Sequence, residues 1–265
     1  MYSKSQLALK WFQYYAQASN ARGHGIHSPF VYALIREVFN DDREYYAYRL
    51  IEMAKLNLLK DDRTLQVQDL GAGSAYSRDA IKKVSQIAVS SVCSQKFGRL
   101  LFRLANFYRA TTIIEMGSSL GISTAYLASA DPACRVITIE GSPSIAGIAT
   151  ETFQKLKLQN ILQVTGNFED KLGTVIASEP QADLVFIDGN HRKKAVLGYF
   201  EKFMEKRSSS CLIVVHDIHW SREMEEAWDI IQEHPMVNMS IDIFSAGLIF
   251  FRDEFRVKQK FTIRF

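Results

Sequence analysis

The chain has 265 residues, 47% of them hydrophobic and 23% charged, which excludes a disordered polymer and allows one large α/β domain or a smaller one with an appendage. Its 32 Lys and Arg against 29 Asp and Glu leave a net charge of +3, too mild for the basic stripe of a nucleic-acid binder. Cys93, Cys134 and Cys211 stand apart with no CxxC spacing, which argues against a disulfide framework or structural zinc and fits a reducing, cytoplasmic setting. No apolar run approaches the ~20 residues of a membrane span. Residues 1–19 are interrupted by Lys4, Lys10, Gln13 and Gln17 and read as an amphipathic stretch rather than a secretory leader.

In chain order, residues 1–95 read as a helical N-terminal region and residues 96–265 as a second domain. Leu7, Trp11, Tyr14 and Tyr15 recur at helical spacing. Ser28-Pro29 predicts an N-cap with proline at the first helical position, opening a helix through Val31, Leu34, Ile35 and Phe39. Residues 45–59 and 97–108 keep the same period, and a short strand is expected at 65–70. From Thr111 onward, β-branched runs at 112–116, 135–140, 161–165, 183–188 and 211–216 alternate with amphipathic stretches. That alternation predicts a parallel sheet with helices on both faces. After a helix at 220–233, the runs 237–244 and 248–252 are joined only by Ser245-Ala246-Gly247. So short a link requires an antiparallel hairpin, because a parallel crossover needs about a dozen residues or more.

Two glycine turns compete for the role of nucleotide loop. The first, Asp69-Leu70-Gly71-Ala72-Gly73-Ser74, is followed by a polar helical stretch and no strand ending in an acid, so it reads as a turn between helices. The second, Glu115-Met116-Gly117-Ser118-Ser119-Leu120-Gly121-Ile122-Ser123, follows a buried strand and opens a helix. Glu140 then ends the next strand, near the interval of roughly 20 residues expected of an acid that accepts from ribose hydroxyls. Gly117 lacks a Cβ and lets backbone N–H groups approach a ligand, the helix N-terminus favours a carboxylate, and Ser119 and Ser123 add hydroxyls.

On these residues the chain resembles the class I S-adenosylmethionine-dependent methyltransferases, and among them the catechol-type O-methyltransferases and their bacterial relatives. The resemblance covers roughly residues 97–252. It implies a Rossmann-like, seven-stranded, mostly parallel sheet with a C-terminal antiparallel hairpin and S-adenosyl-L-methionine as cofactor. It assigns Glu115, Gly117, Ser118, Ser119, Gly121 and Ser123 to the methionine end of that cofactor. Glu140 and Gly141 fall to the ribose, and Asn167 and Phe168 to the adenine. Asp188 ends the fourth strand beside the transferred methyl, with His191 three residues later where the catechol-type pattern has lysine. His216 and Asp217 fall where the family's Val-Val-Asp-Asn-Val-Leu-Trp run supplies two metal ligands, so Asp188, His216 and Asp217 are the candidate divalent-metal set. An imidazole in that set suits Mg²⁺ poorly.

The implied reaction is O-methyl transfer to a small hydroxylated acceptor, with Asp188 and His191 as catalytic residues and His191 taking the acceptor's proton. The loop at residues 22–27, with two histidines, reads either as a turn or as a lid over the acceptor. No nucleic-acid or membrane partner is expected, and a homodimer through the aromatic-rich N-terminus is compatible with the resemblance. Two other readings use the same residues. One is a non-catalytic S-adenosylmethionine-binding scaffold. The other is an NAD(P)-dependent oxidoreductase, opposed by a glycine spacing that is not GxGxxG.

Overall fold

The computed structural model describes residues 1–19, 28–68, 79–252, 254–255 and 257–265. The loop at residues 22–27 and the turn of Gly71 and Gly73 lie outside the described residues. In chain order the elements are α1 (Lys4–Gln17), α2 (Pro29–Leu34) with a π-helical turn at Ile35–Phe39, α3 (Tyr46–Leu58), β1 (Thr64–Gln68), β2 (Asp79–Lys83), α4 (Val84–Ser91) and α5 (Gln95–Tyr108). There follow β3 (Thr112–Met116), α6 (Ile122–Ala128), β4 (Arg135–Glu140), α7 (Pro143–Lys155), β5 (Ile161–Thr165), α8 (Phe168–Ser178), β6 (Ala182–Ile187) and α9 (Lys193–Met204). The chain ends with β7 (Arg207–His216), α10 (Arg222–Glu233), β8 (Met239–Asp242), β9 (Ala246–Phe250) and β10 (Gln259–Thr262).

These elements form two compact units, Met1–Asp41 with Gln181–Phe265, and Asp42–Pro180. In the second unit β3, β4 and β5 pair in parallel. Ile113, Ile114, Val136, Ile137 and Ile139 are all buried, as expected of parallel strands covered on both faces. A second core of the same unit gathers Tyr48 and Ile51 of α3 with Phe102 of α5 and Tyr126 of α6. The Tyr48 and Phe102 rings meet edge-on at 5.1 Å. Helices α3 to α5 therefore fall in the same unit as β3, β4 and β5. Residues 79–83 also depart from the expected helix, because β2 pairs antiparallel with β1 before α4 begins.

In the other unit the strand order is β10-β8-β9-β7-β6. β6 and β7 are parallel, whereas β9 runs antiparallel to both β7 and β8. The expected hairpin is thus β8–β9. One further strand, β10, lies parallel to β8 at the edge and had no clear signal in the sequence. Capping follows the residues: Ser28 accepts from Val31 N–H ahead of Pro29, and Ser221 accepts from Met224 N–H ahead of the acids Glu223 and Glu225 in the first turn of α10. Among the described residues no helix is long and apolar enough to cross a membrane.

Candidate active site

The loop between β3 and α6 turns through three left-handed residues, Gly117 (φ 97°), Ser119 (φ 45°) and Gly121 (φ 86°). A Cβ on Gly121 would lie 2.6 Å from a ring carbon of Phe153, so glycine is required there by both conformation and space. The Glu140 carboxylate, nearly buried at the end of β4, closes the loop. Its Oε2 accepts from Ser119 N–H at 2.9 Å and its Oε1 from Ser142 N–H at 3.0 Å. A carboxylate at this strand end is chemically suited to accept from ligand hydroxyls. The Ser118 and Ser119 hydroxyl oxygens are buried with no hydrogen-bond partner among the described residues. A buried hydroxyl without a partner costs about 1–3 kcal/mol, so two in succession mark a loop shaped for a polar ligand. These residues fit the nucleotide cofactor expected from the sequence.

The other residues assigned to the cofactor lie beneath the loop or at neighbouring strand ends. Glu115 is fully buried, and its Oε2 accepts from Thr138 Oγ1 at 2.7 Å and from the Thr124 hydroxyl. It therefore ties β3, β4 and α6 together beneath the loop. Ser123 is buried in the first turn of α6. Gly141 follows Glu140 at the strand end, half-buried. Asn167 caps α8 by accepting from Glu169 N–H at 3.3 Å, and Phe168, half-buried, opens that helix.

In the unit that holds β6 and β7, Asp188 and His216 follow or end adjacent parallel strands. Asp188 Oδ1 lies 2.9 Å from His216 Nδ1 and 3.7 Å from His191 Nε2, and Asp217 Oδ1 is 3.8 Å from the same His216 nitrogen. Burial disfavours charge on His216, but Asp188 and Asp217 outweigh it and push its pKa up to about 9. Burial likewise raises the pKa of Asp188, yet His216 and His191 hold it below the usual carboxylate value. Both shifts favour the charged forms, an imidazolium facing a carboxylate. Asn190 and Asp217, just past these strands, are left-handed at φ 52° and 56°. The His191 ring lies 5.3 Å from the ring of Trp220.

The sequence brings Asp188, His191, His216 and Asp217 together as expected, but not as a metal cage. No group of three carboxylate, imidazole or thiol side chains among the described residues is set to hold an ion. The nitrogen of His216 that faces Asp188 is engaged by that carboxylate at 2.9 Å. The donor set does not fit a hard divalent cation, and no step is derived through one.

Sequence reasoning missed His219, whose ring nitrogens meet Glu225 and Asp242 at 3.0 and 2.8 Å. Only its place in the run Asp217-Ile218-His219-Trp220 pointed to it. Thr124 and Thr138, which hold Glu115, gave no motif signal at all.

The family model described as "Methyltransferase domain" matches residues 114–218. The chain is similar to the catechol O-methyltransferase of Mycobacterium tuberculosis, with 31% identity over 159 residues, 59% of this chain and 69% of that protein. It is also similar to the catechol O-methyltransferase of Niastella koreensis, with 30% identity over 124 residues, 46% of this chain and 55% of that one. Among solved structures, an O-methyltransferase from Bacillus cereus in complex with SAH has the same fold. There the TM-score is 0.56 and the identity 17%, over 83% of this chain and 94% of that one.

Proposed function

This chain belongs to the class I S-adenosylmethionine-dependent O-methyltransferases, and we propose that it methylates a hydroxyl oxygen of a small aromatic acceptor of the catechol type. Asp188, held ionised between two imidazoles, is the observation that carries the acceptor side of this reading.

When bound, S-adenosyl-L-methionine supplies an electrophilic methyl group on a sulfonium centre. Glu140 receives the ribose hydroxyls as a carboxylate acceptor at the end of β4, and the Ser118 and Ser119 hydroxyls meet polar atoms of the methionine end. The protein's task is to align an oxygen nucleophile in line with that methyl group and to take the proton the oxygen loses. His191 accepts the proton as the O–C bond forms and the S–C bond breaks. Asp188 stabilises the resulting imidazolium, while His216 keeps Asp188 ionised throughout. Asn167 and Phe168 flank the adenine.

The exposed Leu9, Phe12 and Tyr15 of α1 support pairing of two copies, which light scattering would register as twice the mass of one chain. The three free cysteines suit a reducing cytoplasm.

The test is Asp188→Ala, assayed with catechol and S-adenosylmethionine. Turnover is expected to vanish while calorimetric binding of the cofactor stays close to wild type. Retained turnover would overturn the assignment of Asp188.

A further inference from the structure

His219 stands in the short turn between β7 and α10, outside the groups assigned to the reaction above. Both of its ring nitrogens are engaged: Nδ1 with Glu225 Oε1 at 3.0 Å and Nε2 with Asp242 Oδ2 at 2.8 Å. Glu225, in the first turn of α10, also accepts from the Tyr2 hydroxyl at 2.7 Å and from Lys10 Nζ at 2.9 Å. Asp242, at the end of β8, uses its other oxygen to accept the Phe244 N–H at 2.7 Å, and the Phe244 ring stacks on the imidazole at 5.2 Å. A neutral imidazole donates from one nitrogen only, so this side chain satisfies two carboxylates as a doubly donating cation. A carboxamide, with one donor end and one acceptor end, cannot do so.

The clamp fixes a turn whose backbone is also pinned. Asp217, at φ 56°, donates its N–H to the Ser245 carbonyl at 2.7 Å, and Trp220 N–H donates to the Asp217 carbonyl at 2.9 Å. The Trp220 carbonyl in turn accepts the Tyr2 N–H at 3.0 Å. The Trp220 ring, adjacent to His219 in sequence, lies against His191. Fixing residue 219 from α10 and β8 at once therefore fixes the surface on which the His191 imidazole rests.

We propose that His219 is a positioning residue for methyl transfer, whose two-carboxylate clamp holds Trp220 against His191 and so sets the aim of that imidazole. The proposal rests on the reading of Asp188 and His191 as acceptor-side residues. Losing the clamp leaves the cofactor loop untouched and blurs the direction in which His191 points. The effect belongs in kcat rather than in cofactor affinity.

The experiment compares wild type, His219→Gln and Asp188→Ala, each assayed with catechol and S-adenosylmethionine. Trp220 emission is isolated by subtracting the spectrum of the matching Trp220→Phe variant. His219→Gln is expected to lower kcat about tenfold or more, to leave the KM for S-adenosylmethionine within about twofold, and to shift Trp220 emission to the red. Unchanged Trp220 emission overturns the proposal, as does a shifted emission with kcat within about twofold of wild type. If His219→Gln does not fold, Glu225→Gln loosens one side of the clamp and is expected to move both readouts in the same direction. Full turnover by Asp188→Ala would defeat the acceptor-side reading separately. If wild type does not turn over catechol, the acceptor class fails and Trp220 emission alone decides for or against the clamp.

Discussion

Asp188 and His216 face each other across the parallel neighbours β6 and β7, Oδ1 to Nδ1 at 2.9 Å. The pKa of His216 is pushed from 6.5 up to about 9, because Asp188 and Asp217 outweigh the burial that opposes its charge. A histidine whose folded pKa exceeds its unfolded one contributes stability that is full below the unfolded value and lost as pH rises through the folded value. The melting temperature of the wild type should therefore decline as pH rises from about 6.5 through about 9, and that decline should flatten in His216→Gln. Thermal melts followed by circular dichroism across this window check it. Equal slopes in both proteins would mean that the pair contributes nothing through protonation.

Glu140→Gln should weaken S-adenosylmethionine binding by about 10- to 100-fold, the loss expected when hydrogen bonds to a charged group, worth about 1.5–3 kcal/mol, are removed. The amide also turns an NH₂ toward Ser119 or Ser142, whose N–H groups both need acceptors. Calorimetric titration reads the affinity. A dissociation constant within about twofold of wild type would place the ribose elsewhere.

Gly121→Ala tests the loop's backbone. The new methyl group would sit 2.6 Å from the Phe153 ring and 3.2 Å from Ala149 Cα, at a φ of 86°. Strain and overpacking together should lower the unfolding free energy by about 1–3 kcal/mol. Urea denaturation would measure this, and an unchanged midpoint would show that the loop relaxes freely.

Metal removal should matter little. After exhaustive dialysis against a chelator, turnover of catechol should remain within about twofold, because the His216 nitrogen facing Asp188 is held by that carboxylate rather than left open to an ion. A collapse reversed by Mg²⁺ or Mn²⁺ would return Asp188, His216 and Asp217 to the role of ligands.

The strands were largely legible because parallel strands buried on both faces are continuous β-branched runs. β3 and β4, so buried, occupy the residues that the pattern marks, and β5, only half-buried, was marked by its β-branched residues. Glu140 was legible because strand, glycine turn, helix and acid recur at a fixed interval. The short strands were harder: β2 reads Asp-Ala-Ile-Lys-Lys and β10 reads Gln-Lys-Phe-Thr, too polar and brief to stand out from helix or loop. At the site, residue types pointed to Asp188, His191 and His216, but not to which atoms meet. The choice between a metal cage and an ion pair depends on which carboxylate the imidazole nitrogen faces. His219 escaped notice because its partners lie on other elements, Asp242 some twenty residues away on β8.

The edge strand β10 has a consequence for synthesis. Ser19 pairs with Ile263, Tyr14 donates its hydroxyl proton to the Ile263 carbonyl, and Arg264 Nε reaches the Tyr15 carbonyl at 2.9 Å. The unit that contains Asp188 is thus assembled from segments at both ends of the sequence, whereas the unit with the nucleotide loop, Asp42–Pro180, is one uninterrupted stretch. On the ribosome the uninterrupted unit emerges whole, while its counterpart waits for residues 181–265, a lag on the order of ten seconds at about 5–20 residues per second. Residues 1–41, helix α1 among them, therefore wait for partners that are made only after the whole of Asp42–Pro180.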